Sequence, residues 1–131
     1  MRYMLLVYTV ETETLQPEEL KKIANGHREV MQESAQHGVF RAAEPLSSTA
    51  TATTVRVRNG KVLVSDGPFA ETKEQLAGYY ILECQNLDEA IQWAGRIPTG
   101  CGGDAGSIEI RPIRIFSRDA EVSLVANEYA G

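Results

Sequence analysis

The sequence predicts an α+β fold of the ferredoxin-like kind: βαββαβ with an inserted β-hairpin, and an antiparallel sheet carrying both helices on one face. Three observations predict it. Apolar segments of strand and helix period alternate in the order strand, helix, strand, hairpin, strand, helix, strand. Asn59-Gly60 marks a tight turn between two alternating runs. Two of the strands are apolar front and back, although the chain supplies only two helices to cover them.

Arg2 to Val10 reads as the first strand, with Tyr3, Leu5 and Val7 on one face and Met4, Leu6 and Tyr8 on the other. Glu11 to Gln16 is a polar loop. Pro17 suits a first helical turn, where its missing N–H costs nothing, and Glu18 and Glu19 favour the positive end of the helix dipole. The helix runs to about His37, with Leu20, Ile23, Ala24, His27, Val30, Met31 and Ser34 as its inner stripe. Gly38 is a natural left-handed stop. Val39 to Leu46 is the second strand, and Ser47 to Ala52 a small-residue loop.

The hairpin follows. A type I′ turn needs positive φ at both central residues, which Asn59-Gly60 tolerates. Its register sets Val57 opposite Val62 and Val55 opposite Val64 on one face, with Arg58 and Lys61 flanking the turn. Gly78 to Cys84 is the next strand: Tyr79 and Ile81 face one way, Tyr80, Leu82 and Cys84 the other. Asn86 or Asp88 starts a second helix carrying Leu87, Ala90, Ile91, Ala94 and Ile97, ended by Pro98. Thr99 to Gly106 is a glycine-rich loop. Ser107 to Phe116 is the last strand, and Pro112 places it at a sheet edge or a bulge. Residues 1–116 make one domain; 117–131 form a tail, either a short helix or a strand reaching a partner.

A sheet apolar on both faces with helices on one leaves the other face bare. Water does not tolerate a bare apolar face of that size. The economical cover is an identical sheet, so a homodimer with sheets face to face is expected.

At 131 residues the chain can bury roughly two thirds of its unfolded surface in one core. Its net charge of −5 and scattered basic residues oppose a nucleic-acid partner. The longest apolar run, Tyr3 to Val10, falls far short of the ~20 residues of a spanning helix and meets no cleavage pattern, so neither membrane nor export is expected. A cytoplasmic protein is the expectation, with Cys84 and Cys101 as free thiols. No Cys/His spacing resembles a zinc site. No phosphate loop, GxSxG elbow or HExxH helix is present, so neither metal nor cofactor is expected.

The densest stretch is Asp66-Gly67-Pro68-Phe69, followed by Glu71-Thr72-Lys73-Glu74 and Gly78. It resembles the DGPF group of YCII-related proteins. The opening Arg2-Tyr3-Met4-Leu5-Leu6, the hairpin entry Ala52-Thr53-Thr54-Val55-Arg56, and the segments Ala94-Gly95-Arg96-Ile97-Pro98 and Ile108-Glu109-Ile110-Arg111-Pro112 are similar too. The resemblance covers about residues 1–115. It implies a ferredoxin-like protein of the dimeric α/β-barrel superfamily, which includes muconolactone isomerase-like enzymes and small monooxygenases. It also implies enzyme-like chemistry from a His and an Asp sharing a pocket, and for some relatives a link to extracytoplasmic-function sigma factors. The shorter family members carry their His soon after the first strand; the first histidine here is His27.

The candidate catalytic residues are Asp66 and His27. Asp66 is either a turn acid accepting backbone N–H bonds or a general base at a cavity mouth. His27 is either a hydrogen-bonded core residue or a pocket imidazole able to titrate near neutral pH. Candidate ligand contacts are Lys73, Glu74, Phe69, Tyr79 and Tyr80. Lys73 and Glu74 could equally be a solvated pair, Phe69 a core plug, and one of the two tyrosines core or interface. Arg41 and Glu44 face either a dimer cavity or solvent. These residues suit acid/base work on a small organic molecule. The rival reading is a non-catalytic binding or regulatory module.

Overall fold

The computed structural model of the chain describes residues 1–11, 14–99 and 105–115. Strand β1 (Arg2–Thr9) leads into helix α1 (Pro17–Gln36), then strand β2 (Phe40–Pro45) and a 3₁₀ turn (Thr49–Thr51). The hairpin β3 (Thr53–Arg58) and β4 (Lys61–Asp66) follows, then β5 (Gln75–Glu83), α2 (Leu87–Ala94) and β6 (Ser107–Pro112). The main sheet has the order β2-β5-β1-β6 and every neighbour is antiparallel. This is the ferredoxin-like α+β arrangement. The hairpin stands apart as its own two-stranded sheet.

Alternation decides which side of the sheet is core. Tyr3, Leu5 and Val7 of β1 and Tyr80 and Leu82 of β5 point to the helices and are buried, with Leu5 and Leu82 at 0% exposure. Val30 of α1, Ala90 and Trp93 of α2, Val39, Cys84 and Ile97 complete that layer. The opposite face carries Met4, Leu6, Tyr8, Tyr79 and Ile81, all half-buried. No helix among the described residues covers it.

The helix ends are built as their residues require. The Glu19 carboxylate accepts from the Gln16 N–H at 3.3 Å, satisfying one orphan donor at the start of α1. The Asn86 Oδ1 accepts from the Glu89 N–H at 3.0 Å, so Asn86 is the cap of α2. Asn59 and Gly60 have φ of 53° and 75°, the positive values a type I′ turn demands, and the valines pair in the expected register.

Several expectations need correction. Strand β5 begins at Gln75 rather than Gly78, because the end of β1 continues to pair: Tyr8 meets Leu76 and Thr9 meets Gln75. Helix α2 stops at Ala94, with Gly95 as its cap, although Ile97 still reaches the core. Its buried line is Ala90, Trp93 and Ile97, which leaves Leu87 and Ile91 exposed; Leu20 of α1 is exposed too. Strand β6 ends at Pro112, and it is an edge strand, where a missing N–H is tolerated. Phe69 plugs no core: its ring is 81% exposed. Cys84 is a buried free thiol. Cys101 and the tail lie outside the described residues, as does most of the loop that holds Cys101. No helix among the described residues is long and apolar enough to cross a membrane.

Candidate functional site

The two layers do not close completely. Between α1 and the β2–β5 side of the sheet lies a cavity of about 370 Å³. Its walls are mostly apolar: Val7 from β1, Ala24 and Met31 from α1, Ala43 and Pro45 from β2, Ala77 and Gly78 from β5. Two side chains bring polar atoms to it: His27 and Tyr80.

Local sequence explains why the space exists. Gly78 lies opposite Pro45 on β2 and Val7 on β1. A Cβ there would stand 2.7 Å from the Glu44 carbonyl oxygen and 3.2 Å from the Pro45 Cα, so only glycine lets the β2 backbone come this close. Small residues at Ala24, Ala43 and Ala77 then leave unfilled what larger ones would occupy.

His27 and Tyr80 meet across the gap. The helical step puts His27 on the inner side of α1, and strand alternation puts Tyr80 on the helix side of β5. The His27 Nδ1 and the Tyr80 hydroxyl are 2.6 Å apart, and the rings stack nearly parallel at 20°. Burial acts on both groups. It pushes the Tyr80 phenol up to about 12, so the hydroxyl stays protonated. It holds the His27 imidazole below its ordinary value, which favours the neutral ring. Of two neutral partners the phenol is the better donor. The Tyr80 O–H therefore donates to Nδ1, which assigns the imidazole proton to Nε2. The pair then offers an N–H donor at Nε2 and a phenolic oxygen with lone pairs to spare. Glu44 borders the cavity through its backbone: it pairs with Tyr79, and its exposed side chain turns to the open face of the sheet.

The structure places the other candidate residues elsewhere. Asp66 ends the hairpin, is exposed, and does not line this cavity. The histidine's hydrogen-bond partner is Tyr80. Tyr79 lines the cavity too, but alternation sends its side chain to the open face of the sheet. Lys73 is exposed and makes no ion pair among the described residues, while the Glu74 Oε1 accepts from the Ser107 hydroxyl at 2.6 Å. A Lys73–Glu74 ion pair, one of the two readings of these residues, does not form among the described residues. Arg41 donates to the Gly38 and Phe40 carbonyls, both at 3.0 Å, and is a surface residue. The DGPF stretch borders a separate shallow hollow with Glu11, Thr49 and Gln75. Among the described residues no three His, Cys, Asp or Glu side chains gather as metal ligands would.

Sequence reading named both members of the pair without joining them. The signal was there: Tyr80 shares a face with Leu82 and Cys84, and His27 a stripe with Val30 and Ser34. Recognising both as the one helix-facing layer would have set them opposite each other.

Fold and cavity together define a small α+β protein with a helix-side cavity. The chain belongs to the YCII-related family, whose domain model matches residues 1–117. It is also similar to the uncharacterized protein R00369 of Rhizobium meliloti (strain 1021). The two are 36% identical over 118 residues, which span 88% of this chain and 94% of that protein.

Proposed function

We propose that the protein is an enzyme-like binder of a small, largely apolar organic molecule, held in the α1–sheet cavity and handled by acid/base residues without a cofactor. The observation that carries this is the 2.6 Å His27–Tyr80 bond at the wall of a 370 Å³ apolar space. A neutral imidazole, backed by a phenol that stays protonated, is a combination able to donate or relay a proton. His27 takes the reacting role and Tyr80 orients it. Asp66 is left to the hairpin. The open sheet face of Met4, Leu6, Tyr79 and Ile81 argues for a second copy as its cover, giving a homodimer.

A thermal-shift panel of small aromatic compounds and carboxylic acids tests the reading. A fitting molecule at a hundred times its Kd stabilises by about 2.7 kcal/mol. The shift should appear in wild type and in Asp66→Asn, and vanish in His27→Leu. A molecule that stabilises all three alike, or loses its effect in Asp66→Asn instead, sinks the assignment. One observation favours the rival reading of a binding or regulatory module: the hairpin presents a bare valine face. A panel without a single hit would turn attention there.

A further inference from the structure

The cavity beside α1 is selective in what it offers a guest. His27 and Tyr80 bring it polar atoms, and burial favours the uncharged form of both. No lysine or arginine is among its lining residues. The acid at its border, Glu44, turns its side chain to the open face of the sheet. The nearby backbone is committed: Gly78 and Tyr80 pair with β1 and β2 alike, and Pro45 has no N–H to give.

The two polar side chains are not equally open. Tyr80 is 3% exposed and its hydroxyl is engaged with the imidazole Nδ1. His27 is half-buried, so it is the member of the pair that a guest meets. Its other ring nitrogen, Nε2, has no hydrogen-bond partner among the described residues. Nor is it sealed away: among the described residues the side-chain oxygen or nitrogen that is both buried and unpaired is the Glu83 Oε2. With the tyrosine assigning the imidazole proton to Nε2, the cavity presents one accessible N–H donor amid apolar walls.

A single neutral donor selects its guest by elimination. A carboxylate would enter with no cation to meet it, and an ammonium with no acid. A hydrocarbon would strip water from the N–H and return nothing. A hydroxyl could accept from the N–H, but it brings a hydrogen of its own for which the apolar walls have no acceptor. A carbonyl oxygen accepts and brings none. We propose that the cavity takes an uncharged carbonyl compound with an apolar body, a ketone or an ester, whose oxygen accepts the His27 Nε2–H. This rests on the cavity being the binding site, and adds the class of guest and the atom that recognises it. The same N–H polarises the carbonyl, as proton transfer at a neighbouring carbon requires.

Four probes of similar size test this: acetophenone, 1-phenylethanol, ethylbenzene and benzoate. Each is titrated into the whole chain while the methyl NMR signals of Ala24, Met31 and Ala43 report entry to the cavity. Between wild type and His27→Leu, acetophenone should lose about tenfold or more in affinity and ethylbenzene nothing. That difference cancels the probes' unequal hydration. 1-Phenylethanol should lose less than acetophenone, and benzoate should leave the methyls unmoved. In wild type the His27 Nε2 nitrogen resonance should shift with acetophenone and stay put with ethylbenzene, a readout that still decides if His27→Leu fails to fold. Ethylbenzene and acetophenone losing alike, a nitrogen indifferent to the ketone, or benzoate binding tightest overturns the carbonyl assignment while leaving the cavity as a site. Methyls unmoved by all four probes overturn both.

Discussion

Valine occurs in two settings that could hardly differ more. Val7 and Val30, in the layer between sheet and helix, are 4% and 2% exposed. The four valines of the hairpin are more than half exposed. Residue type and strand pattern are alike in both places. What differs is whether the chain itself supplies the opposite surface. In the first, α1 and α2 do so. In the second nothing among the described residues does. Alternation tells which side chains share a face, but it does not say which molecule meets that face.

The contrast has consequences of graded size. The largest is Leu82→Ala, which removes a side chain at 0% exposure in a strand paired on both sides and should cost about 2–5 kcal/mol in urea unfolding. A cost under 1 kcal/mol would mean the layer is looser than described. Next comes Gly78→Ala. Its new methyl meets the β2 backbone, which cannot swing aside as a side chain can. A loss of about 1–3 kcal/mol is expected, with β2 amide shifts in the NMR spectrum. Unchanged shifts would show that β2 is not held where the cavity requires it.

The pH response of His27 is smaller. Because burial holds its value below that of the unfolded chain, the unfolded state takes up a proton first as pH falls through about 6.5. Stability should fall with decreasing pH in that window, and the loss is complete once pH is below the folded value. His27→Gln should flatten that part of the Tm profile; equal slopes in both proteins would place the histidine in water. The smallest effect is Val62→Ala. Measured on dilute subunits it should lie within about 0.5 kcal/mol of wild type, because most of the side chain already faces water.

How far the sequence could be read follows the same division. Local signals translated well. Asn59-Gly60 gave the turn and the valine register, the choice of Asn86 or Asp88 contained the true cap of α2 in Asn86, and the two-faced strands β1 and β5 gave the centre of the sheet. Signals that depend on what lies opposite did not. Phe69 in a motif suggested a plug and is exposed, because its loop lies over the hollow beside Glu11 and not over the core. Trp93 carried no sign that it, rather than Leu87 or Ile91, faces inward; the short helix admits either stripe until the sheet chooses. Asp66 drew attention by its motif and His27 by its chemistry. Their partners were set by distances between elements, which spacing along the chain does not encode.

One small knot at the end of the sheet has a reach beyond its size. The Glu11 carboxylate accepts from the Thr49 amide at 2.9 Å and its hydroxyl at 2.6 Å, while the Glu11 amide donates to the Gln75 side-chain oxygen at 2.9 Å. Gln75 also donates to the Thr72 carbonyl. Three connections distant in sequence are thereby lashed to one acidic residue: the exit of β1, the approach to the hairpin, and the segment that returns from it. Surface loops of this kind ordinarily exchange their amide protons freely. Here the Thr49 amide should exchange like part of a ladder, and the hairpin should swing, if at all, about a root that is already tied down.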